Sequence, residues 1–224
     1  MRKSIVLLSA GLDSTVCLAQ AMRESKVELC LTYDYNQRSA KQESEHALAL
    51  ANYYQVPHQV IKLDFFSHFA GGALINRDME VPEPQEDALD DLNIGKETAA
   101  AVWVPNRNGI FINVAAGFAE ALGCQLIVTG FNAEEAKTFP DNSEQYVKAV
   151  NAALGYGTAN GVQVISYTQR LNKVEIVQLG QRLNVPWQLI WSCYNDGEEM
   201  CGKCESCRRY YRAVQQANKN GSGG

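Results

Sequence analysis

Seven residues near the start of the chain, Leu8-Ser9-Ala10-Gly11-Leu12-Asp13-Ser14, restrict its fold more than any other stretch. An apolar run, Ile5-Val6-Leu7-Leu8, leads into them, and Leu12, Val16, Ala19 and Met22 follow at helical spacing. The pattern predicts a strand, a turn of small residues and a helix. Such a turn directs free backbone N–H groups and the positive end of the helix dipole at one spot, which suits a phosphate. Ser9 and Ser14 add hydroxyl donors, and Asp13 offers a hard oxygen able to hold Mg²⁺. No Gly-Lys-Ser/Thr follows, so this is not a Walker A loop, and the GxGxxG of dinucleotide folds is absent. Taken alone, an ordinary strand-to-helix turn capped by serines explains the stretch equally well.

The rest of the chain continues the rhythm. Residues 27–33 read as a second strand, and Ala40, Ser44, Ala47, Leu48, Ala51 and Tyr54 mark one helix face. Residues 58–63 and 125–129 are further strands, the latter ended by Gly130. Residues 143–154 are a helix, 163–166 a short strand and 173–183 another helix. Strands alternating with helices predict an α/β fold with a parallel, doubly wound sheet, whose ligands lie beyond the carboxyl ends of the strands. The first loop and the Asp34-Tyr35-Asn36-Gln37-Arg38 segment then share one edge. Residues 65–104 break the pattern with Glu80, Glu83, Glu86, Asp87, Asp90 and Asp91. They read as a solvated excursion, with a lid as the alternative. Val104-Pro105-Asn106-Arg107-Asn108 opens a helix, apolar nearly all round to Leu122, that is expected to be buried. Arg107 at its start is placed for an anion. Gly155-Tyr156-Gly157 follows a helix and has the wrong spacing for a dinucleotide turn.

Cys193-x7-Cys201-x2-Cys204-x2-Cys207 is the second strong signal. Four thiolates so spaced can turn onto one tetrahedral zinc, and no histidine nearby suggests an open catalytic position. An iron–sulfur cluster and unliganded thiols are the alternatives. Gly202 lets the backbone bend, and Lys203, Arg208 and Arg209 are expected to offset the thiolate charge. Cys207, Tyr210, Tyr211, Val214 and Ala217 describe a helix that packs this appendage onto the sheet. Cys17, Cys30 and Cys124 lie in apolar surroundings and read as core residues. His46, His58 and His68 are scattered, so histidine base catalysis lacks support. The expected division is a sheet domain over 1–190, a metal-binding segment over 191–218 and a mobile tail over 219–224. A net charge of −5 argues against an extended nucleic-acid surface. No signal-peptide h-region or membrane span is legible, so a cytosolic protein is expected, as a monomer or a homodimer.

Both ends together resemble the QueC family of queuosine biosynthesis, within the ATP-pyrophosphatase (PP-loop) superfamily. The resemblance rests on the loop over 9–14, similar to SGGxDS, and on Asp34-Tyr35-x-Gln37-Arg38 and Val104-Pro105-x-Arg107-Asn108. Thr129-Gly130, Phe139-Pro140-Asp141, Lys173-x-Glu175-Ile176 and the four cysteines complete it. It implies an adenine-nucleotide α-hydrolase-like fold and conversion of 7-carboxy-7-deazaguanine, ammonia and ATP into the 7-nitrile. It further implies ATP binding along Leu8, Ser9, Ala10, Gly11, Leu12, Asp13, Ser14, Thr15, Val16, Cys17 and Leu18. Within that run, Ser9, Gly11 and Ser14 would hold pyrophosphate and Asp13 Mg²⁺. Arg107 and Lys173 would stabilise phosphoryl charge; cations at helix starts otherwise oppose the dipole. A guanine-like edge presents N–H donors, so Asp141 is the first choice to read it, followed by Glu134 and Glu135. Arg38 and Asn108 complete the expected substrate contacts. Ala10 departs from the family pattern, where the first glycine stands. That position is taken to need a small side chain rather than a positive φ. Three other readings remain: a paralogue that gives the activated acid to another amine, a tRNA thiolase, and a non-catalytic nucleotide- or zinc-binding protein.

Overall fold

The computed structural model describes residues 1–69 and 71–221. Five strands form one wholly parallel sheet: β1 (Lys3–Leu7), β2 (Lys26–Asp34), β3 (His58–Lys62), β4 (Leu126–Val128) and β5 (Gln163–Ile165). Their order is β3-β2-β1-β4-β5. Helices α1 (Leu12–Glu24) and α2 (Ala40–Tyr53) make the first two crossovers, and α3 (Leu92–Val102) and α4 (Arg107–Ala121) precede β4. Helices α5 (Glu144–Gly157), α6 (Lys173–Leu183) and α7 (Glu205–Gly221) complete the chain.

Successive strand residues face opposite sides of the sheet. In β1, Val6 packs with Cys17, Leu18, Ala47 and Leu50 from α1 and α2. Its neighbour Ile5 packs with Ile112, Ala115 and Leu154 from α4 and α5. Both faces are therefore covered, as a parallel sheet requires. The chain winds outward from β1 to β3 and returns to β4 on the other side of β1. That reversal opens a crevice between the carboxyl ends of β1 and β4, where the loop over 8–14 lies. Gly130, just after β4, closes the approach: a Cβ there would lie 2.8 Å from the Ser14 nitrogen.

Several expectations need correction. Helix α4 is buried along Ile112, Ala115, Ala116 and Ala119, while Asn113, Gly117 and Glu120 are exposed. The sheet covers only one of its faces. The 65–104 excursion is not simply solvated. Its acids do face water, but Phe66, Ala73, Leu74 and Leu89 are buried. It also contains α3, which begins where the Asp91 carboxylate accepts from the N–H groups of Asn93 and Ile94. Gly155-Tyr156-Gly157 is the last turn of α5. Helix α7 runs through 219–221, where the tail was expected, and 222–224 lie outside the described residues. Among the described residues, no helix is long and apolar enough to cross a membrane.

The expectation for Ala10 is overturned. Its φ is +60°, in the left-handed region, and its methyl is fully buried. The turn must reverse the chain between β1 and α1, and the Ala10 carbonyl meanwhile accepts from the Trp191 N–H at 2.9 Å. Left-handed backbone costs an alanine about 1–2 kcal/mol, which glycine avoids while losing more chain entropy on folding. Ala10→Gly should therefore remain within about 1 kcal/mol of the parent in urea unfolding, since relief of strain and loss of a buried methyl oppose each other. Ala10→Val, β-branched in a left-handed position, should lose at least about 2 kcal/mol.

Candidate active site

The loop is internally braced. The Ser14 hydroxyl lies 3.3 Å from the Ser9 N–H and 3.2 Å from the Ser9 hydroxyl, and can donate to the Gly11 carbonyl at 3.2 Å. The Leu12 N–H donates to the Ser192 hydroxyl at 3.3 Å, which ties the loop to the segment entering the cysteines. Gly11 has no side chain to cap α1, and of the helix's first N–H groups the Leu12 N–H is the one that meets a side-chain oxygen, that of Ser192. The loop forms the floor of a cavity of about 1000 Å³, lined there by Leu8, Ser9, Gly11, Leu12, Asp13 and Ser14. Ala10, Thr15, Val16, Cys17 and Leu18 are buried in the core and do not line it. Of the expected ATP-binding run, Leu8, Ser9 and residues 11–14 face the cavity.

Over this floor lies a buried cation. Lys173 Nζ is 2.5 Å from Asp13 Oδ2 and 2.7 Å from Glu135 Oε1, and its backbone N–H donates to Glu134 Oε1 at 2.8 Å. Local sequence sets each part. Asn172 and Glu175 form a reciprocal capping box that starts α6 at Lys173. Asn132, buried after β4, accepts from the N–H groups of Glu134 and Glu135 and fixes the turn that presents both acids. One ammonium is thus shared by two carboxylates, leaving a net negative triad. Burial pushes Asp13 up to about 6 despite the attraction of Lys173. Burial also opposes the charge of Lys173, yet Asp13 and Glu135 hold it above the usual lysine range. Glu135 lies below its ordinary value because Lys173 outweighs the effect of burial. Asp13 Oδ1 is buried with no hydrogen-bond partner.

Arg107 and Asn108 line the same cavity at the start of α4. Arg107 Nη1 donates to the Tyr35 hydroxyl at 3.4 Å. Two expected substrate contacts are displaced. Arg38 does not line the cavity: its guanidinium binds the carbonyls of Ala73 (2.6 Å), Asn76 (3.0 Å) and Met79. It staples the excursion to the end of β2 instead of reaching a ligand. Asp141 is also absent from the lining and sits beside Asn108 and Arg107, with burial raising its pKa above the usual carboxylate range.

The opposite wall comes from α7. Arg209 Nη2 lies 2.8 Å from Glu205 Oε1, its Nη1 lies 3.7 Å from Glu134 Oε2, and it donates to the Leu89 carbonyl at 2.9 Å. Arg209 therefore serves the cavity rather than the thiolates, contrary to expectation. Arg208 turns away as well, to the Lys203 carbonyl and Gln85. Glu205 and Arg209, an i,i+4 pair, were the legible hint. The sequence reading also missed Trp191, Tyr194 and Glu43, all of which line the cavity.

The four cysteine sulfurs lie within 4.8 Å of one another, with Cys193–Cys204 at 4.0 Å and Cys201–Cys207 at 3.9 Å. A Zn–S bond of about 2.3 Å gives tetrahedral edges of about 3.8 Å, so the spacing fits one metal ion. Backbone N–H groups supply the expected charge compensation. Those of Asn195 and Cys201 point at Cys193 Sγ, and those of Lys203 and Cys204 at Cys201 Sγ, at 3.4–3.5 Å. Gly202, with φ of +70°, makes the bend that allows the last two.

Comparison with known proteins gives a family. The model described as "Queuosine biosynthesis protein QueC" matches residues 3–218. A 7-cyano-7-deazaguanine synthase of Desulforudis audaxviator is 56% identical over 215 residues, covering 96% of this chain and 97% of that protein. The synthase of Bdellovibrio bacteriovorus is 48% identical, covering 97% and 94%. That of Methanosarcina mazei is 44% identical, covering 95% and 94%.

The lysine triad makes a stability prediction. Lys173→Met leaves two carboxylates facing each other without their cation, and should cost about 3 kcal/mol in chemical denaturation at pH 7. With the cation gone, both acids titrate higher in the folded state, so the variant recovers stability as pH falls toward 5 and the acids take up protons. A penalty unchanged between pH 7 and 5 would contradict this account.

Proposed function

The chain belongs to the QueC family, and from that premise we propose that it converts 7-carboxy-7-deazaguanine, ammonia and ATP into 7-cyano-7-deazaguanine. The observation that carries the reading is the family match over residues 3–218 combined with the braced loop on the cavity floor. A carboxylate is a poor electrophile, so it must be adenylated with loss of pyrophosphate before ammonia can displace AMP and form the amide. A second adenylation, on the amide oxygen, then lets that oxygen leave with AMP and gives the nitrile. Each activation builds negative charge on phosphoryl oxygens, and the protein's task is to position and stabilise it.

Ser9, Gly11 and Ser14 take the pyrophosphate, supported by the positive end of α1, whose N-cap residue Gly11 carries no side chain. Asp13 Oδ1, buried and unpartnered, fits a hard cation and would hold Mg²⁺. Held there, Mg²⁺ would supply charge neutralisation for the phosphate oxygens. Lys173 remains on Asp13 Oδ2 and carries positive charge to the loop, and Arg107 does so from α4. Zinc is the metal we assign to the four cysteines, because a closed all-thiolate site of this size suits it. Residues 1–190 carry the reaction and 191–218 the metal-bound wall. The protein acts on small molecules in the cytosol. The thiolase and scaffold readings gain no support from the site.

Incubation with ATP, the deazaguanine acid and ¹⁵N-ammonium should yield labelled nitrile, with the amide as intermediate and two AMP and two pyrophosphate per nitrile. Mass spectrometry reads both. ADP and orthophosphate as direct products would refute the loop assignment, and an adenylated acid that ignores ammonium would indicate another amine as acceptor. Asp13→Asn should lower turnover at least about 100-fold while the fold and one zinc per chain remain.

A further inference from the structure

We propose that Glu43 is the specificity residue that reads the purine edge of the substrate, accepting the ring N–H and the exocyclic amino group of the deazaguanine on one carboxylate. This rests on the substrate reading above and names the group that none of the expected acids supplies.

Seven carboxylates line the cavity, and six are committed elsewhere. Asp13 and Glu135 share Lys173. Glu134 accepts from the Lys173 backbone and faces Arg209, and Glu205 pairs with Arg209. Asp90 pairs with Arg212, and Asp91 caps α3. Glu43 is the remaining one. Its side-chain partners are neutral donors, the Ser39 hydroxyl at 2.5 Å and the Gln37 side-chain amide at 3.1 Å, and among the described residues no lysine or arginine forms an ion pair with it. An ionised carboxylate has about four acceptor positions, so about half remain for a ligand.

The carboxylate is also held ready. Gln37 is buried and locked between the Tyr33 carbonyl (3.0 Å) and the Tyr35 N–H (2.9 Å), and Ser39 is buried at the start of α2. The Gln37 donor is thus fixed by the Tyr35-x-Gln37 segment that leaves β2, and the Ser39 donor by its place just before α2. An acid in the first turn of a helix also answers the helix dipole, but that role needs no cavity. Glu43 instead turns into the space that holds the loop, Arg107 and Asn108.

The chemistry selects the ligand class. A guanine-type edge presents two parallel N–H donors, the fork that a carboxylate accepts from a guanidinium. An adenine edge places a ring acceptor against the carboxylate, so ATP's own base is repelled from this subsite. A hypoxanthine-type edge lacks the amino donor and leaves one carboxylate oxygen unpaired.

The test compares the deazaguanine acid with its 2-desamino analogue, using full-length protein. The parent should prefer the acid at least about 100-fold in kcat/KM. Glu43→Gln should raise KM for the acid about 100-fold, bring the two substrates within about tenfold, and leave KM for ATP within about threefold. Glu43→Asp should restore part of the preference, which a purely structural role would not do. A Glu43→Gln protein with unaltered preference would overturn the inference alone. So would a parent that converts the acid without discriminating against the analogue, whatever the variants do. A parent that does not convert the acid at all would overturn the substrate reading, and this one with it.

Discussion

The ammonium of Lys173 is the contact on which the site depends. It joins the start of α1, the turn after β4 and the start of α6, three segments distant in sequence that meet at the carboxyl edge of the sheet. No single element could place a cation over the loop, because a cation at the start of its own helix opposes the dipole. Asp13 and Glu135 reverse that penalty. The result is a positive centre embedded in a negative frame, so the charge offered to a phosphate is less than one full cation. A hard cation on Asp13 Oδ1 would restore the balance in favour of anion binding.

The second constraint comes from the far end of the chain. Trp191 and Ser192 hold the loop by hydrogen bonds to Ala10 and Leu12, two residues or fewer before the first of the four clustered cysteines. Cys204 immediately precedes α7, whose Arg209 touches Glu134 and the Leu89 carbonyl. A metal at the four cysteines would therefore fix the floor from one side and the wall from the other. It would give the appendage a structural part in shaping the cavity. Half-buried Arg209 is the stronger pin of the excursion, since Asp90, bound by Arg212, is 79% exposed and such pairs contribute little.

What was legible in the sequence was local. The Ile176, Leu179, Leu183 stripe places α6 at 173–183, where it is found, and the Asn172–Glu175 capping box seen in the structure accounts for its start. The cysteine spacing carries its own geometry in the same way, since four short side chains and one glycine bend suffice. Arg38 was misread because its partners are backbone carbonyls 35–41 residues away, which no side-chain pattern announces. Ala10 was misread for a related reason: small size and positive φ both favour glycine, and only the backbone distinguishes them. Helix α3 was hidden by the acids around it. Its buried face is Gly95, Ala99 and Val102, which carries no stripe of large apolar side chains to mark it.

One cavity must serve two activations that differ in what they adenylate. The acid presents an anionic oxygen to ATP, whereas the amide presents a neutral one and leaves an NH₂ group beside the site. A site that held the substrate by its reacting group would have to release it between steps. Recognition through the distant purine edge avoids this, because that edge is unchanged by either step. One cavity lined both by the Ser9–Ser14 loop and by Gln37, Ser39 and Glu43 offers a separate set of groups for each task. The reacting carbon can then change from carboxylate to amide to nitrile while the ring stays where it is held.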